Sequence, residues 1–333
     1  QMVEAEKIIL ATGTRSRDLP NIKRDGVKII GYREAMTLPQ QPKSMVVIGS
    51  GAIGTEFAYF YKTLGTDVTL IEFMPDILPL EDKEISKLLA REFKKIKMNV
   101  MTSSSVTNVD TTGEKCIVTV ETPKGVTTIE TDIVFMAAGV TPNLENIGLE
   151  ELGIQTERGK IIVDEDYKTS VEDVYAIGDI VPGQALAHVA SAEAICCVEK
   201  IAGLSPEPVD YSNVPSCTYC SPEVASVGLS EDKATAQGFN IKVGKFPFTA
   251  SGKATASGHR EGMVKLVINE DNDEILGAHF IGENVTEMIA DMVTARKLHA
   301  KCHDIIKTIH PHPTMSEAIM EAAEAAYNQC VHI

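Results

Sequence analysis

Hydrophobic and polar residues change rhythm along this chain, and the rhythm divides it. Residues 44–49 (Ser-Met-Val-Val-Ile-Gly) and 67–72 (Asp-Val-Thr-Leu-Ile-Glu) are short apolar runs, the first closed by glycine. Short β-branched runs of this kind predict strands covered on both faces, as in a parallel sheet. Between and after them the spacing turns helical: residues 55–64 read as a helix and residues 83–97 as an amphipathic one. Residues 116–120 and 126–130 alternate around Pro123-Lys124-Gly125, which predicts a hairpin. Residues 133–139 and 174–179 read as further buried strands, and residues 185–202 as a helix. Residues 7–14 read as a buried strand running into a glycine turn. Such a strand needs neighbours to pair with, so the sequence is expected to begin inside a domain.

The stretch 203–208 holds one glycine and two prolines and marks a boundary. Beyond it the period is mainly two. Residues 241–246, 262–268 and 275–281 predict antiparallel strands, and helical spacing returns near 283–298, 302–308 and 314–328. The reading is therefore α/β up to the boundary and α+β after it, with expected divisions at 1–36, 37–140, 141–208 and 209–333.

Charge and cysteine content narrow the partners. A net charge of −16 offers no basic face, which argues against nucleic acid and against an anionic membrane surface while leaving small ligands open. No run of 18 apolar residues predicts a membrane span. The seven cysteines are odd in number and scattered, which suits a reducing compartment better than a disulfide framework. The expected location is the cytoplasm, with the mitochondrial matrix as the alternative. Cys217-Thr218-Tyr219-Cys220 is a CxxC, but it opens no helix and no second pair stands at zinc spacing. Neither a redox role there nor a metal site is expected. Cys196, Cys197, Met288, Met292 and Met315 read as packing residues.

Three stretches carry candidate chemistry. Gly49-Ser50-Gly51-Ala52-Ile53-Gly54 follows a strand, opens a helix and is answered by Glu72 at the end of the next strand. That context, about 30 residues long, is what a dinucleotide-binding βαβ unit requires. Gly49 permits the tight turn, Gly51 lets backbone approach a pyrophosphate, and Gly54 lets helix and strand pack closely. The helix start supplies free N–H groups. Glu72 suits ribose hydroxyls and repels a 2′-phosphate, favouring NAD over NADP. The alternative is a glycine-rich turn that binds nothing. Ala176-Ile177-Gly178-Asp179 puts a carboxylate at the carboxyl edge of a sheet, as either a turn or a site. In Ile309-His310-Pro311-His312-Pro313-Thr314-Met315-Ser316-Glu317 the prolines restrict the backbone around His312. Glu317 could fix one imidazole tautomer and leave the other nitrogen as a base. The alternative is a histidine packing at a helix start.

Thr12-Gly13, "VVIGSGAIGTEFAYFYKTLGTDVTLIE", "AAGVTPN", "VYAIGDIVPGQALAHVASAEA" and "HPHPTMSEA", in that order, resemble the pyridine nucleotide–disulfide oxidoreductases. Within them the chain is most similar to the branch that oxidises dihydrolipoamide. The resemblance covers essentially the whole chain. It implies Rossmann-type dinucleotide-binding domains plus a C-terminal α+β dimerisation (interface) domain. Residues 1–36 would be a remnant of an FAD-binding domain, 37–140 the NAD-binding domain, 141–208 the central remainder of the FAD side, and 209–333 the interface domain. It implies a homodimer with FAD and NAD, serving lipoyl domains of a 2-oxo acid dehydrogenase or glycine-cleavage complex. Gly49, Ser50, Gly51, Ala52, Ile53, Gly54, Thr55, Glu56, Glu72, Val106 and Gly139 would contact NAD. Thr12, Gly13, Thr14, Asp179, Ala185, Leu186, Ala187 and His188 would belong to the FAD site. His312, oriented by Glu317, would be the acid/base, acting across the dimer on a dithiol. The family's first FAD fingerprint and its Cys-x4-Cys disulfide do not occur in the sequence, so the chain alone is expected to be inactive. A basic residue usual after the glycine at Gly139 is replaced by Val140 and Thr141. The alternatives are an NAD-binding and dimerisation module without redox work, or a related flavin disulfide reductase.

Overall fold

The unbroken apolar runs become a five-stranded parallel sheet in a computed structural model that describes residues 2–333. Ser44–Ile48 lies at its centre, paired with Asp67–Ile71 on one side and Ile133–Met136 on the other; Ile29–Ile30 and Asn99–Met101 form the edges. Met45, Val46 and Val47 are each at most 1% exposed, because side chains leaving both faces of the strand are covered. The helix Lys83–Lys95 buries Ile85, Leu89 and Phe93, one stripe at i, i+4 and i+8. Its first turn is capped by Asp82, whose side chain accepts the Glu84 N–H at 3.0 Å. It stops short of residue 97 because Lys97 turns into the left-handed region (φ 57°) and redirects the chain into Asn99–Met101.

The hairpin forms as Cys116–Thr122 and Gly125–Thr131, joined by Pro123-Lys124, with Ser105–Asp110 as a third antiparallel strand. Its inward residues Cys116, Val118 and Val120 share a core with Val46, Ile48 and Val134 of the parallel sheet.

Beyond residue 211 the sheet has five antiparallel strands, in the order Ser216–Thr218, Glu223–Gly228, Ile275–Gly282, Met263–Asn269, Ile241–Pro247. The first two were not expected from the sequence; one is three residues long and the alternation of the other is interrupted by small residues. Met263–Asn269 and Ile275–Gly282 are buried along their whole length, so both faces of the sheet are covered. Val264, Leu266, Ala278 and Phe280 pack under the helices Val285–Lys297 and Glu317–Ala325 together with Met288, Met292 and Met315. Met263 and Ile281, on the opposite face, join Ile85, Leu89 and Phe93. Residues 18–138 and 212–333 consequently form one compact unit although their sheets are separate.

Residues 2–17 and 139–211 form the other unit. Ile8–Leu10 pairs in parallel with Val174–Ala176, Thr14–Ser16 pairs antiparallel with Val140–Pro142, and the helix Ala187–Ile201 follows. The expectation of a buried strand at 7–14 is corrected here. Ile8 and Ile9 are 48% and 36% exposed, because Val174–Ala176 is the only strand beside them among the described residues. The expected strand at 174–179 ends at Ala176, and Gly178–Ile180 closes it with a single 3₁₀ turn. The expected strand at 133–139 ends at Met136, short of Gly139 with its φ of 98°.

Candidate functional site

The turn from Gly49 to Gly54, the candidate nucleotide cradle, tolerates no side chain at two of its glycines. Gly49 has φ 98°, and a Cβ there would lie 2.5 Å from the Ala137 carbonyl oxygen. A Cβ on Gly54 would lie 1.9 Å from the Gly49 carbonyl oxygen and 3.1 Å from the Ala137 Cβ. The helix Ala52–Thr63 therefore seats directly on the turn that feeds it. It starts three residues earlier than residue 55, because Gly51 serves as its N-cap and makes no side-chain cap. The first-turn N–H groups consequently have no side-chain acceptor, and the helix dipole adds partial positive charge there. Around Gly51 a Cβ would meet nothing within 4 Å: this is the open mouth of the cradle. Ala52 and Ile53 are exposed beside it, while Gly54 and Thr55 are buried. The Thr55 hydroxyl donates to the Ser50 carbonyl oxygen at 3.0 Å.

Glu72 is 7% exposed and its orientation is set from three directions. Its Oε2 accepts from the Ser50 N–H at 2.8 Å and the Ser50 hydroxyl at 2.7 Å; its Oε1 accepts from the Met74 N–H at 2.8 Å. The carboxylate is thus fixed at the end of its strand, with acceptor capacity left on Oε1 for a hydroxyl. Open backbone N–H groups, a glycine-lined approach and an oriented carboxylate fit the diphosphate and ribose of a dinucleotide. Two residues expected at this site are turned elsewhere. Val106 is 8% exposed and packs in the core with Val46 and Ile48. The Glu56 Oε1 accepts the Tyr219 N–H at 2.9 Å, and burial raises its carboxyl above the usual range despite that bond.

In the second unit, Asp179 stands in the turn after Val174–Ala176 and accepts the Thr14 hydroxyl at 2.6 Å. Thr12 and Asn143 exchange two hydrogen bonds: the Thr12 hydroxyl donates to the Asn143 carbonyl (2.6 Å) and the Asn143 amide to the Thr12 carbonyl (3.0 Å). Gly13 between them has φ 67°. Ala185, Ala187 and His188 are exposed around the start of the Ala187–Ile201 helix, whose N-cap, Leu186, offers no side-chain acceptor. An uncapped helix start in the same unit as a partly exposed carboxylate fits the phosphates and hydroxyls of a flavin dinucleotide.

Two residues of this unit escaped the sequence reading. Glu193, 1% exposed, accepts the Gly178 N–H at 2.6 Å and the Tyr211 hydroxyl at 2.8 Å, and so anchors the turn that carries Asp179. A carboxylate on the buried stripe of a helix was the available signal. Arg17 brings its guanidinium within 3.4 Å of where a Gly139 Cβ would stand, and its N–H donates to the Gly139 carbonyl at 2.9 Å. A cation therefore does stand at Gly139, supplied by a residue 122 positions earlier (139 − 17), which no local pattern could reveal.

His312 and Glu317 meet as expected. The ring Nδ1 lies 2.7 Å from Glu317 Oε1, and the other carboxylate oxygen accepts the Thr314 N–H at 2.7 Å. Glu317 opens the helix Glu317–Ala325, so its position is set by the fold rather than by a mobile loop. Partial burial pushes its carboxyl up, but the Thr314 N–H and the His312 ring outweigh this and hold it below the usual carboxylate range. An ionised acceptor obliges Nδ1 to carry the hydrogen. His312 is 77% exposed, and its Nε2 has no partner among the described residues.

The thiols are inert by comparison. All seven cysteines are free. Burial pushes Cys217 and Cys197 up to about 11, and Cys220 rises further for the same reason, the opposite of a reactive thiolate.

Comparison with known proteins bears on the whole chain. Residues 1–194 match the family model described as pyridine nucleotide-disulphide oxidoreductase, and residues 214–323 that family's dimerisation domain. The chain is 45% identical over 334 residues to the dihydrolipoyl dehydrogenase of Zymomonas mobilis, covering 100% of this chain and 72% of that protein. It is 46% identical over 330 residues to that of Rhizobium etli, covering 98% and 69%. Among solved structures, LpdA from Mycobacterium tuberculosis superposes with a TM-score of 0.88 at 28% identity, over 96% of this chain and 69% of that one.

Proposed function

The chain belongs to the pyridine nucleotide-disulphide oxidoreductase family, an enzyme family that works with FAD and NAD, and from that premise we propose that it serves the oxidation of dihydrolipoamide with reduction of NAD⁺. The observation that carries this reading is the His312–Glu317 pair at 2.7 Å, whose second ring nitrogen is open. Bound FAD supplies the electron relay between a dithiol and the nicotinamide. The rest falls to side chains and backbone of the protein.

His312 takes the proton of a substrate thiol at Nε2, while Nδ1–H stays bonded to Glu317. Glu317, ionised throughout the neutral range, stabilises the imidazolium that results and fixes the ring plane. The exposure of His312 suits action on a dithiol held by a second copy of the chain, and the match to the dimerisation domain supports a homodimer. The backbone from Gly49 to Gly54 holds the NAD diphosphate, and Glu72 takes a ribose hydroxyl and disfavours NADP. Glu56 and Val106 stay out of that pocket, Glu56 on the Tyr219 N–H and Val106 in the core. Thr12, Gly13, Thr14, Asp179 and residues 185–188 hold FAD. The four-part division at 36, 140 and 208 follows these roles. The partners are lipoyl domains of a 2-oxo acid dehydrogenase or glycine-cleavage complex, in the cytoplasm or the mitochondrial matrix.

No two of the seven cysteines stand five positions apart, and the buried thiols are poor nucleophiles. These 333 residues by themselves therefore bind NADH but do not oxidise dihydrolipoamide. The test is to purify this chain, titrate it with NADH by fluorescence, and assay NAD⁺ reduction with dihydrolipoamide. Binding without turnover is the expected result. Turnover by the chain alone would overturn the reading that none of its seven cysteines forms the redox dithiol, and failure to bind NADH would overturn the cradle.

A further inference from the structure

A group of metal-ligating side chains, none of them assigned to a nucleotide, stands at the far end of the helix that begins with Glu317. Glu321 and Glu324 are one turn apart on the Glu317–Ala325 helix and share a face. After the helix, the Tyr327 and Gln329 N–H groups return to the Glu324 carbonyl oxygen at 3.0 and 2.9 Å, and Asn328 takes φ 56°. This left-handed turn closes the helix and folds the next residues back along it. Cys330 and His332 are thereby brought onto Glu321. The Cys330 thiol donates to Glu321 Oε2 at 2.9 Å, and the His332 Nδ1 hydrogen-bonds Glu321 Oε1. Ligand atoms of Glu321, Glu324 and Cys330 all lie within 4.8 Å of one another.

We propose that Glu321, Glu324, Cys330 and His332 form a structural site for a thiophilic divalent cation, with Zn²⁺ the best fit. A donor set of one sulfur, one imidazole nitrogen and two carboxylate oxygens is suited to tetrahedral zinc and poorly suited to Mg²⁺ or Ca²⁺, which take oxygen ligands. Zinc bond lengths of about 2.0–2.3 Å put neighbouring ligand atoms roughly 3.3–3.6 Å apart, so Glu321, Glu324 and Cys330 need only small rotamer adjustments to close on an ion, and His332 joins them by turning from the Glu321 oxygen it now holds.

The site's own electrostatics ask for a cation. Glu321 is 5% exposed, and Glu324 has no side-chain hydrogen bond among the described residues. The helix end adds partial negative charge. At present the two oxygens of Glu321 are satisfied by the thiol hydrogen and the imidazole, the two groups that would change role on binding. The thiol gives up its proton to solvent as sulfur bonds the metal, His332 turns a neutral ring nitrogen to it, and Glu321 keeps a bonded partner throughout. The ion would staple residues 328–332 to the helix whose first residue orients His312. No metal site was expected from the sequence, where no second cysteine pair stands at zinc spacing; only the turn at Asn328 assembles the set.

The experiment is titration of the metal-free 333-residue protein with Co²⁺, read by the thiolate-to-cobalt charge-transfer band, followed by displacement with Zn²⁺. We expect one equivalent of Co²⁺, a charge-transfer band, and a rise in melting temperature with Zn²⁺. Cys330→Ser abolishes the band and weakens Zn²⁺ by more than roughly 100-fold, the upper range for losing even an outer partner of a ligand. Cys217→Ser leaves both unchanged. Glu324→Gln, at a partly exposed position, weakens binding at least roughly tenfold and serves if Cys330→Ser does not fold. Absence of the band, its survival in Cys330→Ser, or unaltered affinity in Glu324→Gln would overturn the site.

Discussion

Alanine at Gly51 and at Gly54 separates binding from folding within one turn of helix. A methyl on Gly54 would fall 1.9 Å from the Gly49 carbonyl oxygen, an overlap with backbone that no side-chain rotation can relieve. Either the helix Ala52–Thr63 or the turn at Gly49 must shift, and the turn is itself held against Ala137. Overpacking costs about 1–3 kcal/mol, and an overlap with backbone that no rotamer relieves falls in the upper part of that range, about 2–3 kcal/mol. The helix-propensity gain of alanine over glycine, about 1 kcal/mol, offsets part of it. The net loss is of order 1–2 kcal/mol, or roughly 2–8 °C in melting temperature for a unit of this size. Gly51 is different: a methyl there meets nothing within 4 Å, and its φ of −63° is open to any residue. Its weaker N-cap and its stiffer unfolded chain oppose each other, so stability stays within about 0.5 kcal/mol. On the proposed reading of the cradle, the methyl nonetheless stands where a diphosphate would approach. The assays are thermal melting and NADH fluorescence titration on each variant. Gly54→Ala melts earlier and binds NADH weakly; Gly51→Ala melts like the parent and also binds weakly. Parent-like NADH affinity in Gly51→Ala, or parent-like stability in Gly54→Ala, would refute the reading of the cradle.

Other consequences follow from charges held inside the fold. Lys265 is 2% exposed and holds both Asp82 oxygens at 3.0 Å, so Lys265→Met leaves a buried carboxylate unpaired and should cost about 3–5 kcal/mol at neutral pH by urea denaturation. Burial alone would raise Asp82, but Lys265 holds it below the usual range; a depressed folded value means stability present above the unfolded carboxylate value of about 4 and lost as pH falls through the lower folded one. The deficit of Lys265→Met should accordingly shrink on acidification, and a pH-independent deficit would contradict the pairing. Glu317→Ala removes the acceptor of the Thr314 N–H, and hydrogen exchange at that amide should accelerate about tenfold or more. Glu193→Ala leaves the Gly178 N–H without its acceptor and should cost about 1–3 kcal/mol in the unit that carries Asp179; an unchanged urea midpoint would remove Glu193 from that role.

The parts of this protein legible in the sequence are those built from neighbours in the chain. The strand–glycine turn–helix–strand unit from Ser44 to Glu72 lies within 29 residues, and Gly49 and Gly54 stand where the local backbone leaves no room for a side chain. His312 and Glu317 are five positions apart across a restricted proline stretch, so their meeting needed only the start of a helix. The helical stripe of Ile85, Leu89 and Phe93 was likewise visible as a period. What tertiary structure alone decided are contacts whose partners are far apart in the chain. Arg17 reaches Gly139, Lys265 reaches Asp82, and Glu56 turns toward Tyr219 instead of the cradle. The strands Ser216–Thr218 and Glu223–Gly228 are too short or too interrupted to show a period, yet they complete the antiparallel sheet, Glu223–Gly228 pairing with Ile275–Gly282 and Ser216–Thr218 with Glu223–Gly228. Ile8 and Ile9 read as core by composition and are exposed, because burial belongs to what packs against a side chain and not to the side chain itself. Cys330 looked like a single stray thiol, and a left-handed turn at Asn328 gave it a carboxylate and an imidazole for company.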